Sequence, residues 1–380
     1  MVANLIISFF LLFLTELSNK KNKRMEKIII VGITMILGLY YRTTASDWVA
    51  YRLLYENVLP KLSLNSILNS KMIFNMDRGF VLLSYFFYKL TVGYNIFQAL
   101  IIGSCTFFLL YFIKDRTSNF YIAIIFLLSN FFNLYVSEPI LRQLIAITII
   151  VYGVYYIENK KFFKYIITVL IATQFHLSAI ICICFYFLNY IKIDLKRSIF
   201  IFILGFLLFL NIEFLFKGVT VVFPSLSHYY SYIKYNSEIN KSFFNYIRII
   251  FLISMYIICL NNKKNKINNV YIGITLGYLI LLFNKDKFFL LGRLDGYFLI
   301  PVSIYFSNID MKKKFLKIIF NIFNILLLCH FLNLNKDTLE YNNYLTSLLT
   351  GKQGKKYIEK EREYNAVKKE IYNEISSISK

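Results

Sequence analysis

Apolar runs divided by short, lysine-rich linkers recur along most of the chain, and no other feature of the sequence restricts the fold as much. The stretch LRQLIAITIIVYGVYYIENKKFFKYIITVLIATQFHLSAIICICFYFLNYIK, residues 141 to 192, contains three such runs. The apolar residues come in blocks and not at the spacing of an amphipathic helix, which is the pattern of bilayer-spanning segments. In the hydrocarbon core every backbone N–H and C=O has to be satisfied internally, so an all-α polytopic membrane protein is expected. Composition agrees: 58% of the 380 residues are hydrophobic, with a mean hydropathy of +0.56. The bias toward tyrosine (31) and phenylalanine (39) over a single tryptophan, with abundant Asn, Ile and Lys, fits AT-rich codon usage and carries no structural weight.

The candidate spans are 3–18, 28–41, 80–92, 95–113, 119–136, 139–157, 162–175, 176–191, 198–217, 243–260, 269–284, 294–309 and 315–333. This predicts about 12 to 13 transmembrane or half-spanning helices over a domain 1–334, followed by a polar, amphipathic or partly disordered tail 335–380. A net charge of +22 would suggest nucleic acid in a soluble protein, but these lysines sit in the linkers, so topology accounts for them and no nucleic-acid partner is expected. Basic clusters at 20–27, 114–116, 160–164, 192–197, 263–266 and 312–317 mark the cytoplasmic side. The first apolar run carries its positive charge after it and not before it, so it reads as a membrane helix starting outside and not as a cleaved leader. Between 27 and 114 the three drawable spans give the wrong parity: either 80–92 is re-entrant or 63–76 adds a membrane segment.

With that topology the outer side holds 42–78, the turns at Ser137–Pro139 and Gln174–His176, the loop 218–242 and the segment 284–293. Arg42, Asp47, Glu138, Arg142, His176 and Arg293 then all fall at or just inside the outer ends of helices. An arginine at membrane depth, such as Arg142 in SEPILRQLIAITIIVYG, marks a functional site or else snorkels to water. Asp47, Tyr51 and Tyr55 follow at helical spacing, either to bind a polar ligand or to lie in the interface. His176, in TQFHLSAI, stands where the chain reverses and is a candidate base or phosphate donor, or simply a cap. Arg293 and Asp295 open a helix; arginine suits phosphate oxygens, and the aspartate suits the helix dipole. Several outward arginines suggest an anionic ligand carried by the bilayer, and a lipid diphosphate fits. No phosphate loop, dinucleotide fingerprint or nucleophile elbow occurs, so no cofactor is expected. All five cysteines lie in apolar segments, and Cys182 and Cys184 point different ways, so neither a disulfide nor a metal site is expected.

The segments YRTTASDWVAYRLLY, DRGFVLLSYFFYKLTVGYNIFQALI, LRQLIAITIIVYGVYYI, FHLSAII and GRLDGYF, in this order, resemble the EpsG family of bacterial exopolysaccharide proteins, which are Wzy-like polymerases. The resemblance covers roughly residues 28 to 310. Its most specific part is RQ-x-x-A, which includes Arg142 and Gln143, followed about thirty residues later by FH-x-S-A with His176. Family patterns usually have a glutamate where this chain has Asp77, so no catalytic role is placed there. The resemblance implies a glycosyltransferase of the bacterial cytoplasmic membrane whose site faces outward. It would move a growing glycan from undecaprenyl diphosphate onto a lipid-linked repeat unit, for a capsule, exopolysaccharide or O-antigen. A chain-length regulator and a flippase would be its partners. Arg142, His176 and Asp47 are expected to be catalytic; Arg42, Arg293, Tyr51, Glu138 and Gln143 are expected to bind substrate. Arginines would supply the countercharge of the departing diphosphate without a divalent metal. A glycan ligase and a lipid-linked oligosaccharide flippase remain the alternatives; the flippase would line its path with charges at the midplane, whereas these stay near one surface.

Overall fold

The structure is a computed structural model that describes residues 13, 14, 17, 22–40, 47–69, 76–136, 141–210, 217, 243–261, 268–284, 289–308, 314–334 and 361–368. Among these residues every regular element is helical, and the protein is an all-α membrane protein. Most helices bury one face and expose large apolar side chains on another. On the first, α1 (Lys23–Tyr40), Ile29, Ile30, Ile33 and Leu37 are buried, while Ile28, Val31 and Met35 are more than half exposed. Such stripes would be a liability in water and are the ordinary surface against lipid tails.

Register is set by a few close contacts. Helix α1 runs antiparallel to a later helix, Tyr94–Arg116, because a Cβ at Gly38 would lie 3.3 Å from the Ala99 carbonyl oxygen and 3.5 Å from the Gly103 Cα. Between them, α2 (Trp48–Leu53) continues through a π-turn 54–58 and a short 3-10 turn, followed by α3 (Leu64–Asn69) and α4 (Arg78–Lys89). Helices α5 (Tyr94–Arg116) and α7 (Leu141–Glu158) run parallel: the Tyr152 hydroxyl donates to the Phe108 carbonyl at 3.0 Å, and Arg116 pairs with Glu158 at 3.6 Å. Helix α6 (Phe120–Val136) turns back and packs chiefly on two later helices, Phe289–Ser307 and Lys314–Leu334, and α8 (Phe162–Thr173) folds back along α7. A broken helix follows, a 3-10 stretch from Leu177 to Cys182 and then α9 (Ile183–Phe187); the Tyr165 hydroxyl of α8 donates to the Cys182 carbonyl at 2.6 Å. Beyond come α10 (Leu195–Leu210), α11 (Phe243–Asn261), α12 (Asn269–Asn284), α13 (Phe289–Ser307, with Pro301 inside it) and α14 (Lys314–Leu334). Cys182 is buried and Cys184 exposed, so the two thiols point apart.

One end of this bundle is stitched by polar contacts. Glu158 accepts from the Tyr271 hydroxyl at 2.8 Å as well as pairing with Arg116. Asn308 donates to the Arg116 carbonyl at 2.7 Å, and the Ser118 hydroxyl donates to the Ser307 carbonyl at 2.9 Å. Asn189 donates to the Ile157 carbonyl at 2.9 Å, which brings the linker 191–194 to the same place. The basic clusters 114–116, 160–164 and 192–197 therefore share this lysine-rich end.

The opposite end holds the segments 47–69 and 76–93. Helix α4 begins at Asp77, beside Arg142 at the start of α7, and its end leads within four residues to the start of α5. Since α5 and α7 are parallel, both ends of α4 lie at one end of the bundle. Its 12 residues rise only ~18 Å, short of the ~30 Å hydrocarbon core. Of the two parity solutions the geometry of α4 fits the first, since the 80–92 run does not cross; within 63–76, the described residues hold only the short α3.

A last helix, α15, over 361–368 packs onto α2. Tyr364 is 2% exposed; its hydroxyl donates to Glu56 at 2.6 Å and accepts from the Asn57 amide at 3.1 Å. The Arg52 guanidinium lies 4.2 Å from the Tyr364 ring centroid and pairs with Glu361 at 2.6 Å. This fixes the segment that carries Asp47 and Tyr51.

Candidate functional site

Arg142 is the second residue of α7, and a guanidinium at that depth is tolerated only with partners. Among the described residues, two other segments supply them: Asp47 and Tyr51 from one, Asp77 from the other. Its Nη1 is 3.1 Å from the Asp77 carboxylate and its Nη2 is 3.6 Å from that of Asp47. Its Nε donates to the Tyr51 hydroxyl at 3.1 Å, and that hydroxyl donates to Asp47 at 3.2 Å. The local sequence makes this possible. Asp47 and Asp77 are the N-cap residues of α2 and α4, and neither carboxylate makes a side-chain cap bond, so both can turn toward Arg142. Tyr51 lies one turn into α2, on the face of Asp47.

The side chains of Arg142 and Asp77 are 18% and 13% exposed; that of Asp47, at 38%, borders solvent. Among the described residues, the ionisable members Asp47, Asp77 and Arg142 sum to a formal charge of −1 when both carboxylates are ionised. Burial raises the Asp77 carboxyl above the ordinary aspartate range, against the opposing pull of Arg142. Burial also raises the Tyr51 phenol, so it stays a neutral donor. The arrangement presents a carboxylate that is a better base than a free aspartate and is locked in direction by the arginine.

A second hydrogen-bonded group adjoins it. The N–H of Gly79 donates to the Gln174 carbonyl at 2.8 Å, and a Cβ at Gly79 would sit 2.7 Å from that oxygen, so only glycine permits the contact. This joins the start of α4 to the chain reversal that carries His176. The Nδ1 of His176 accepts from the Ser178 N–H at 3.3 Å and lies 2.7 Å from the Ser178 hydroxyl. With Nδ1 accepting, the proton of the neutral ring sits on Nε2, which is a donor. The Ser178 hydroxyl meets that of Tyr297, from α13, at 3.1 Å. Tyr297 is also close enough to feel the charge of Asp77.

The structure thus brings Arg142, Asp47 and Tyr51 together and sets His176 in the neighbouring group. Gln143 is fully buried in the first turn of α7. Arg293 lies in the early part of α13, one turn before Tyr297, and only its backbone is described. Arg42 and Glu138 lie outside the described residues. Sequence reasoning set Asp77 aside as a catalytic residue; among the described residues it is the nearer of the two carboxylates paired with Arg142. Sequence reasoning passed over Arg248, half-buried within α11, whose Nη2 donates to the Tyr278 hydroxyl of α12 at 2.6 Å. Arg248 carries the signal that drew attention to Arg142, a lone arginine in an apolar run. Among the described residues no group of three or more His, Cys, Asp or Glu side chains is placed to hold a metal ion.

The model of the EpsG family matches residues 23–346, a span that takes in every residue of both polar groups. No curated protein and no solved structure matches the chain.

Proposed function

The chain belongs to the EpsG family, and we propose from this and from the Arg142 cluster that it is a Wzy-like polysaccharide polymerase of the bacterial cytoplasmic membrane. It transfers a glycan from a polyprenyl diphosphate carrier, of the undecaprenyl class, onto the terminal sugar of a lipid-linked repeat unit. The observation that carries the reading is the assembly of Asp47, Tyr51, Asp77 and Arg142 from three segments at the bundle end opposite the basic clusters. Lysine-rich ends face the cytoplasm, which supports an outward-facing site.

In the reaction an acceptor hydroxyl attacks the anomeric carbon, the bond to the diphosphate oxygen breaks, and the acceptor proton leaves to a base. Asp77 takes that proton: burial makes it more basic, and Arg142 holds it in one orientation. Arg142 is therefore a positioning residue for the two carboxylates. The transition state resembles an oxocarbenium ion, and a cluster with an excess of one negative charge stabilises positive charge at the anomeric carbon. His176, donating from Nε2, hydrogen-bonds a substrate oxygen. Arg293, in the second turn of α13 near the same end, takes the diphosphate. Tyr51 and the exposed edge of Asp47 meet the acceptor sugar.

The test is in cells. The gene is deleted and restored with wild type or with Asp77→Asn at matched membrane levels, and lipid-linked glycans are resolved by size and by side of the membrane. Single repeat units facing outward, with long polymer lost, are expected for Asp77→Asn and for the deletion. Single units retained on the cytoplasmic side would identify a flippase and overturn the reading. Long polymer that stays on its carrier only in the absence of the gene would identify a ligase.

A further inference from the structure

A cavity of about 520 Å³ opens where the π-turn 54–58 meets the end of α4 and the start of α5, lined among others by Tyr55, Tyr88, Tyr94, Glu56, Lys89 and Thr91. Its size is that of sites for small molecules. The three rings form a fixed wall. The Tyr55 hydroxyl donates to the Val92 carbonyl at 2.6 Å, and its ring meets Tyr88 edge-on at 6.1 Å and Tyr94 tilted at 5.7 Å. Tyr94 is only 4% exposed, and its hydroxyl, sealed from solvent, has no hydrogen-bond partner among the described residues, so it belongs to the rigid backing of the wall.

Charge narrows the ligand. Glu56 is shared with Arg52 and Tyr364, Arg52 also pairs with Glu361, and Lys89 stands on the other side of the opening. Two cations and two carboxylates balance. A phosphate would meet Glu56, and an acyl chain would bring no polar group to Glu56 and Lys89. A neutral sugar ring suits both: its apolar C–H face lies on tyrosine, and its hydroxyls donate to the carboxylate and accept from the ammonium. The cavity also adjoins the reaction site. Tyr51 and Tyr55 are one helical turn apart, and the rings of Tyr51, Phe80, Phe97 and Tyr55 form a continuous chain with centroids 5.1, 6.2 and 5.0 Å apart.

We propose that this cavity is a saccharide subsite, which holds a sugar of the growing glycan beyond the one that reacts; in that form the inference rests on the polymerase reading. Occupying it makes a long glycan a better substrate than a single repeat unit, so elongation outruns initiation.

Two measurements test it on the full-length protein in nanodiscs. The first is KM for lipid-linked substrates of one and of several repeat units, in wild type, Tyr88→Ala, Lys89→Ala and the control Phe86→Ala, a lipid-exposed neighbour. The ratio of long to short KM should rise about tenfold in Tyr88→Ala, a loss of ~1.4 kcal/mol, less in Lys89→Ala, and not in the control. The second is saturation-transfer NMR with the repeat-unit oligosaccharide released from its lipid. Its signal should be present with wild type and lost with Tyr88→Ala. Equal shifts for both substrate lengths, or an oligosaccharide signal indifferent to Tyr88 and Lys89, would overturn the subsite even with polymerisation intact. A wild-type protein that binds the oligosaccharide through Tyr88 but forms no linkage would keep the subsite and remove the polymerase reading.

Discussion

The coupling between Arg142 and Asp77 can be measured directly. Arg142→Ala leaves Asp77, at 13% exposure, facing Asp47 with no countercharge. Removing one partner of a buried pair destabilises by about 3–5 kcal/mol, and the partial exposure of this one places it near ~3 kcal/mol. Asp47, more than a third exposed, adds little because solvent screens it. Asp77→Asn keeps the shape and loses the charge, leaving Arg142 its contacts with Asp47 and Tyr51; about 1 kcal/mol is expected from the lost charge-assisted bond. In Arg142→Ala/Asp77→Asn the stranded carboxylate is gone, so the total should be ~2 kcal/mol, a coupling of about 2 kcal/mol between the sites. Each kcal/mol moves the melting temperature by about 1–2 °C in a chain of 380 residues. The single arginine variant should then melt roughly 3–6 °C low in nanodiscs, with the double variant above it. Both should fail to polymerise, because the base or its orientation is lost. Additive effects within ~0.5 kcal/mol would show that Asp77 and Arg142 act independently, and the ion pair would lose its place at the centre of the site.

Three further outcomes follow from the same geometry. Asp77, raised by burial, binds its proton more tightly folded than unfolded; it thus favours the folded state below the ordinary aspartate value, and this contribution is lost as pH rises through the folded value. The base form accumulates over the same rise, so the polymerisation rate should climb on the acid side with a midpoint above ~3.9, and a limb centred at or below that value would remove Asp77 as the base. His176→Gln, whose amide can donate near the position of Nε2, should keep activity within about tenfold of wild type, while His176→Ala loses on the order of 10²-fold; an active alanine variant would make His176 only a cap. Trp48, the single tryptophan of the chain, is 2% exposed and 6.4 Å from the Tyr364 ring, so its emission reports the docking of α15. Tyr364→Ala should shift that emission to longer wavelength and make Arg362 far easier for trypsin to cleave, because a buried aromatic ring contributes about 3–5 kcal/mol; an unchanged spectrum would mean that the tail does not cover Trp48.

The helical class and the grouping of basic linkers at one end were legible in the sequence because both depend on local composition. Arg142 was legible for the same reason, since a lone arginine stands out in LRQLIAITIIVYG. Asp77 was not: in NMDRGF it looks like any N-cap, and only the close approach of Gly79 to the Gln174 carbonyl, nearly a hundred residues away, brings it beside α7. Parity held the hint, since a run that fails to fit an alternating topology is one that does not cross. Arg248 had the arginine signal but no neighbouring motif; its partner Tyr278 comes from the next helix, a relation no spacing reveals. For the tail, the amphipathic character of 335–380 did not show that Tyr364 would meet Trp48 and Arg52.

The non-crossing helix also explains how such a site can exist at membrane depth. A carboxylate on a crossing helix would need its partner at the same height on a neighbour, and both would be sealed from substrate. Helix α4 instead begins and ends on the side of the site, so Asp77 enters the bundle from the surface at a helix start and reaches Arg142 while keeping 13% of its side chain exposed. The charge that results restricts what Arg142 can do. Its donors already serve Tyr51, Asp77 and Asp47, and a diphosphate brought to a cluster of charge −1 would add repulsion on top of lost ion pairs. In the proposed reaction Arg142 therefore orients the carboxylates and does not hold the leaving group.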